Sequence, residues 1–235
     1  MEAIILAGGF GTRLKKLNLD VPKPMVQVQG KPFLEYLLSY LKHSGTAHVV
    51  LSVGYKGEMI REYFGEEWKG MKLSWSCEDH PLGTGGGVKK AMAFCTEDQV
   101  WVLNGDTFFD VNPEKMYAFH VRENSFFTLA GKQMKAPGRY GLIRYDRQHR
   151  IMAFEEKNPE TEEGVINGGV YLIRKDDFLA KPLPEAFSME HDFLEVYVGK
   201  DKFMLYLSDG YFIDIGIPED LEKAQNEYHC FRKYK

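Results

Sequence analysis

The sequence predicts an α/β fold, one domain with a mixed, mostly parallel central sheet flanked by helices. Three observations carry this. Short apolar runs recur in the first half and read as strands buried on both faces. Amphipathic helical stretches separate them, the alternation that yields parallel strands with right-handed crossovers. The second half instead strings strand-like runs together with few helices between them, which makes the sheet mixed.

Taken in order, "EAIILA" (Glu2 to Ala7) is the first buried strand, stopped by glycines. "KPFLEYLLSYLKHSG" sets Phe33, Leu34, Leu37, Leu38 and Leu41 at helical spacing, and Gly45 suits the stop. "AHVVLSV" (Ala47 to Val53) is a second buried strand, and "KGEMIREYFG" a short amphipathic helix closed by Gly65. "KLSWSC" (Lys72 to Cys77) alternates as a strand does, and "GGGVKKAMAFC" turns helical after its glycines. "QVWVLNGD" (Gln99 to Asp106) is a third buried strand ending in an acidic turn. "SFFTLAGKQM", "YGLIRYD", "RIMAFEEK" and "GVINGGVYLIRK" follow as strands, with a helix near Met189 to Val198. "KFMLYLS" and "YFIDIG" are late strands, and Pro218 opens a terminal helix in the first-turn position that proline tolerates. The aromatic end, Tyr228 to Tyr234, packs on the core or on a second subunit of a homo-oligomer. With no linker or repeat, residues 1–235 form a single domain, a nucleotide half over about 1–110 and an acceptor half over about 111–235.

Composition excludes several classes. A net charge of −4 argues against a protein built to bind nucleic acid or an anionic membrane. No apolar run approaches the roughly 18 residues of a membrane helix. Glu2 stands where a secretory leader carries basic residues. The three cysteines, Cys77, Cys95 and Cys230, are far apart and lack metal-ligand spacing, which suits free thiols in a reducing cytoplasm.

The polar residues collect where strands end, and open α/β sheets bind ligands beyond those carboxyl ends. The opening loop "LAGGFGTRLKKLNLDVPKPM" holds Gly8, Gly9, Gly11, Thr12 and Arg13. Its spacing is neither the dinucleotide fingerprint nor the Walker loop, so by itself it fits a tight turn as well as an anion cradle. Lys23 stands between Pro22 and Pro24, which stiffen its base and suit a lysine meeting a phosphate as a point charge. In "EDHPLGTGGGVKK" the glycines leave room for a flat group such as a base, and Glu78 stands at the loop's edge. A carboxylate only accepts hydrogen bonds, which matches the adjacent N1–H and N2–H donors of guanine better than uracil or thymine. Cytosine, with its one amino donor there, stays open. His80 has no evident partner and reads as a surface residue. Asp106 and Asp214 each end a strand, and two such carboxylates suit Mg2+ held with substrate phosphates. Each also suits a turn or a helix cap. Glu156, Lys157 and Asn167 are polar strand-edge groups able to meet sugar hydroxyls or a phosphate.

Together "LAGGFGTRL…VPKPM", "PLGTGG", "NGD", "FEEK", "INGG" and "DIGIPED" resemble the sugar-1-phosphate nucleotidyltransferases, from end to end and in the right order. The resemblance implies a Rossmann-like, GT-A-like fold and a Mg2+-dependent enzyme. It also implies nucleoside-triphosphate contacts for Leu6, Ala7, Gly8, Gly9, Gly11, Thr12 and Arg13, with Arg13 on the departing pyrophosphate. Lys23 would meet the reacting phosphates, Glu78, Gly83 and Thr84 the base, and Asp106 and Asp214 the Mg2+. Arg13, Lys23, Asp106 and Asp214 would then be the catalytic set. Asn104, Tyr140, Gly141, Glu156 and Asn167 would meet the sugar, and Lys157 its phosphate. Many relatives carry glutamine where Glu78 falls, which disfavours a uridine or thymidine nucleotide. "LNGDTFFD", "RYGLI" and "YFIDIGIPED" narrow the resemblance to the branch joining GTP to a heptose 1-phosphate for surface glycans. Mannose 1-phosphate, CTP, and a silent nucleotide-sugar-binding module are the rival expectations.

Overall fold

The computed structural model describes residues 1–9, 20–155, 158–231 and 234. Four parallel strands form the heart of the sheet: β1 (Glu2–Leu6), β4 (His48–Val53), β6 (Met71–Cys77) and β7 (Gln99–Asn104). Between them run α1 (Phe33–His43), α2 (Gly57–Phe64) and α3 (Gly83–Ala91), with the short strands β2 (Gln27–Val28), β3 (Lys31–Pro32) and β5 (Glu67–Trp68) beside them. The second half adds β8 (Thr107–Phe109), α4 (Pro113–Arg122), β9 (Phe127–Lys135), β10 (Leu142–Tyr145), β11 (Ile151–Glu155) and β12 (Glu163–Arg174). It ends with α5 (Lys175–Leu179), a π-helical turn Met189–Leu194 continued by α6 (Glu195–Tyr197), β13 (Phe203–Leu207), β14 (Phe212–Asp214) and α7 (Pro218–Glu227).

Among the described residues one ten-stranded sheet runs β11-β10-β12-β7-β1-β4-β6-β5, with β9 paired to β12 and β13. The sheet is mixed because β12 joins β7 antiparallel, from Val170 opposite Leu103 to Arg174 opposite Gln99. Alternate residues of a strand face opposite sides. Ala3 and Ile5 enter one apolar core with α1, and Ile4 enters the other with Val50, Val102 and α3. The C-terminal aromatics close the first core. Phe231 is fully buried and lies edge-on to Tyr36, and the Tyr234 hydroxyl bonds Asp110. No helix among the described residues is long and apolar enough to cross a membrane.

One expectation changes: the helix after the base loop starts at Gly83 and contains its glycines rather than following them. The stretch between Asp106 and Phe127, for which no element is named above, holds α4. Its start was marked, since the Asn112 side chain accepts from Lys115 N at 2.9 Å and Pro113 takes the first position.

Candidate active site

Strand register builds the site. Leu6 lies beside Ser52 on one flank and Asn104 on the other, and Val53 lies beside Cys77. Residues that follow these positions therefore surface at one edge of the sheet: Gly8–Gly9, Gly54–Tyr55, Glu78 and Gly105–Asp106. They line a cleft of about 830 Å3 together with Leu6, Lys23, Gly83, Thr84 and Asn104. Ala7 is buried behind its loop and donates its N–H to the Ser52 carbonyl.

Lys23 opens a single helical turn, Lys23–Met25, whose Pro22 and Pro24 are both buried. Gly105 brings the end of β7 against that turn. Its N–H donates to the Leu6 carbonyl at 2.9 Å, and a methyl group there would collide with that oxygen and approach Pro24 Cγ at 3.3 Å. The result is an ion pair, Lys23 Nζ to Asp106 Oδ2 at 2.7 Å, with both side chains largely shielded. Among the described residues this pair uses one of the three lysine N–H donors, which leaves two for a ligand.

Asp214 lies just outside the cleft lining and is tied to Asp106 through the backbone. It pairs with Thr107 across the β8–β14 ribbon, and Ile215 N donates to the Asp106 carbonyl at 2.9 Å. Burial first, then the negative charge of Asp106, raises the Asp214 carboxyl above its ordinary range, against the Gly216 N–H, Arg139 and Lys23. Two carboxylates thus press together in partly buried surroundings, a donor pair that suits a hard divalent cation completed by water and phosphate oxygens. Among the described residues no group of three or more His, Cys, Asp or Glu side chains converges.

Glu78 is held from two sides. Ser52 Oγ donates to Oε1 at 3.2 Å, and Leu82 N donates to Oε2 at 3.1 Å. Gly87 gives it room, since a methyl group there would stand 2.9 Å from both Glu78 Oε1 and Ser52 Oγ. Sequence reasoning kept the base-loop glycines clear for a flat ligand, but part of that room is filled by the chain. Phe187 N donates to the Leu82 carbonyl, and Gly85 and Gly86 N donate to the Phe187 carbonyl. A methyl group on Gly85 would collide with the Phe187 ring. The segment 185–190 is therefore a strap across the base loop. His80, expected as a surface residue, is exposed at the rim of the cleft, where it faces the strap's Glu185 at 3.7 Å.

Behind the cleft, Asn167 sits where the β12–β9 register is interrupted between Asn167 and Tyr171. Its Nδ2 donates to Tyr171 Oη at 2.8 Å, and its Oδ1 accepts from Gly169 N at 2.9 Å. The fully buried Tyr171 hydroxyl also meets Asn104. Gly169 has a φ of +70°, and a methyl group there would stand 2.8 Å from Asn104 Nδ2. Tyr140 packs edge-on against Phe212 of β14, its hydroxyl pushed up to about 12 by burial. Gly141 stands where a methyl group would crowd the Glu155 carbonyl at 2.9 Å. Tyr140, Gly141, Asn167 and Asp214 thus flank the cleft without lining it. Gly11, Thr12, Arg13, Glu156 and Lys157 lie outside the described residues. Sequence reasoning passed over Tyr55, Tyr171 and Glu190, which sit in an ordinary turn, a strand and a strap without a motif.

A nucleoside triphosphate site at the switch edge of a Rossmann-like sheet is what this arrangement suits, and comparison places it. The profile of the family described as nucleotidyl transferase matches residues 2–230, and the chain belongs to that family. Within it, the chain is 48% identical over 227 residues to the D-glycero-alpha-D-manno-heptose 1-phosphate guanylyltransferase of Aneurinibacillus thermoaerophilus, covering 97% of this chain and 98% of that one. It is 47% identical over 220 residues to the enzyme of the same name from Campylobacter jejuni, covering 94% and 96%. Among solved structures it superposes on HddC from Yersinia pseudotuberculosis complexed with GMP-PN, with a TM-score of 0.86, 35% identity, and 97% and 99% of the two chains covered.

Proposed function

We propose that this chain joins GTP to D-glycero-α-D-manno-heptose 1-phosphate, giving the GDP-sugar and pyrophosphate. The single observation that carries this is the shared edge where Gly8, Gly9, Lys23, Glu78 and Asp106 meet, in a chain nearly half identical to guanylyltransferases of that name.

The chemistry follows from charge. A sugar 1-phosphate is mostly dianionic at neutral pH, its second pKa being about 6, so it needs no general base. One of its oxygens forms a bond to the α-phosphorus, and the bond from that phosphorus to the bridging oxygen breaks in line. The electron pair leaves with pyrophosphate. The barrier lies in bringing two anions together and in the charge of the leaving group. Lys23, fixed between buried prolines, offers its two remaining N–H donors to the phosphates at the place where they meet. The Gly8–Gly9 backbone lets N–H groups approach an anion closely. Glu78, already oriented by Ser52 and Leu82, accepts N1–H and N2–H of guanine. Asn104 and Asn167, held by the Tyr171 hydroxyl, and Tyr140 meet the sugar. Asp106 and Asp214 would hold Mg2+, which when bound neutralises phosphate charge.

A pyrophosphate-release screen of the four triphosphates against hexose and heptose 1-phosphates tests the assignment. Release with GTP and the heptose substrate is expected, and no release with any pair would leave only a binding module. Glu78→Gln is expected to weaken the preference for GTP over the other triphosphates by about tenfold, the size of one lost charge-assisted bond. An unchanged ranking and ratio would remove Glu78 from base recognition.

A further inference from the structure

No sequence motif points to Glu190, yet its side chain lines the cleft from the acceptor half of the chain. It is a held group rather than a loose surface acid. Thr84 Oγ1 donates to its Oε2 at 3.0 Å, and Ser188 Oγ reaches the same oxygen at 3.2 Å. Thr84 is itself fixed, since Met189 N donates to its hydroxyl oxygen at 2.9 Å. Among the described residues both hydrogen bonds to this carboxylate use Oε2. The two anchors therefore set the direction of the carboxylate and leave one oxygen for a hydrogen-bond donor in the cleft.

The chemistry of that donor follows by elimination on charge. A carboxylate repels phosphate, and the cleft's cation for phosphate is Lys23, paired with Asp106 rather than with Glu190. The base edge already has its acceptor in Glu78, fixed by Ser52 and Leu82. Thr84 and Asn104 line the same cleft, and Asn104 shares the Tyr171 hydroxyl with Asn167, so the partners left for Glu190 to work beside are uncharged groups suited to hydroxyls. After burial, the negative charge of Glu190 helps to raise the Tyr171 hydroxyl's pKa, so Glu190 acts on this cluster.

We infer that Glu190 is a specificity-determining residue that accepts a hydrogen bond from a hydroxyl of the acceptor sugar, and so selects among sugar 1-phosphates. The inference rests on the guanylyltransferase reading above. It also gives the strap a purpose: Thr84 belongs to the base loop and Glu190 to the acceptor half, so one contact sets both substrates at a common spacing.

The test uses the full chain, GTP, heptose 1-phosphate and a set of its analogues each lacking one hydroxyl. In Glu190→Gln the KM for heptose 1-phosphate should rise about tenfold while the KM for GTP stays within about twofold. The wild type should discriminate against one deoxy analogue, and the variant should lose about tenfold of that discrimination while treating the other analogues as before. Calorimetric GTP binding by Glu190→Ala shows that the nucleotide half is still formed. A uniform loss across all analogues, or a shift in the KM for GTP alone, would overturn the assignment. If the wild type forms no GDP-sugar at all, the underlying reading fails and takes the assignment with it. If the wild type is active and the variant keeps its discrimination, only the assignment fails.

Discussion

Lys23 and Asp106 are separated by 83 residues and meet at 2.7 Å. Each neutralises the other before any ligand arrives, so a partly shielded charge is kept without an unpaired partner. On the proposed function, Lys23→Ala and Asp106→Asn should each lower kcat by about 10²-fold or more, the usual cost of one preorganised charge contact, with circular dichroism unchanged. Near-normal turnover in either would take that residue out of the mechanism. Asp214 makes a prediction of a different kind. Its folded-state pKa is raised above 3.8, so the native state holds its proton more tightly than the unfolded chain does. Stability is therefore lost as pH rises through 3.8 and on past the raised value, and the ionised form at neutral pH carries the penalty. Asp214→Asn, which keeps the Gly216 N–H acceptor, should raise the Tm of the metal-free protein at pH 7. The gain should fade toward pH 4, and thermal melts at both pH values decide it.

At the scale of elements, α3 is an unusual helix, since it starts with four glycines in five positions, Gly83, Gly85, Gly86 and Gly87. An alanine in place of a helix-interior glycine ordinarily stabilises by about 1 kcal/mol. Here the absent side chains are contact surface. A methyl group on Gly86 would overlap the Glu185 carbonyl and stand 2.9 Å from Leu82 Cβ, and backbone on the strap has little freedom to yield. Gly86→Ala should therefore destabilise by about 1–3 kcal/mol, the cost of overpacking, against its helix propensity. A melt showing higher Tm would mean that the strap adjusts freely. The β8–β14 ribbon acts in a comparable way, because a two-strand pairing far apart in sequence is what brings the second aspartate beside the first.

Over the whole molecule, a buried histidine outside the cleft lining adds a second pH response, on the acid side. His120 is almost fully buried, bonded to Thr128 Oγ1 at 2.7 Å and Gln99 Oε1 at 2.8 Å, and burial pushes its pKa down to about 4. The unfolded chain takes up this proton first, near 6.5, so the stability that the neutral ring contributes is present above 6.5 and lost as pH falls to about 4. Denaturant midpoints should decline across that window, and His120→Gln should flatten the decline. An equal slope in the variant would place the acid sensitivity elsewhere.

Local chemistry made much of this protein readable from its sequence. Apolar runs of strand length mark β1, β4 and β7, because burial on both faces favours apolar side chains and admits the few polar ones, Glu2, His48 and Ser52, only with hydrogen-bond partners. The glycines, the proline-flanked lysine and the strand-end acids mark loops, because their backbone and charge properties act over a few residues. What those properties cannot carry is distance in sequence. Strand order and register alone set Leu6 beside Ser52 and Asn104 and so gather four loops at one edge. The pairing of Lys23 with Asp106, the place of Tyr171 between Asn104 and Asn167, and the reach of Glu190 to Thr84 all depend on chain segments packing against one another. Each joins groups whose residue types are ordinary in their own neighbourhoods. Side-chain identity decided which groups could act, and tertiary packing decided which of them meet.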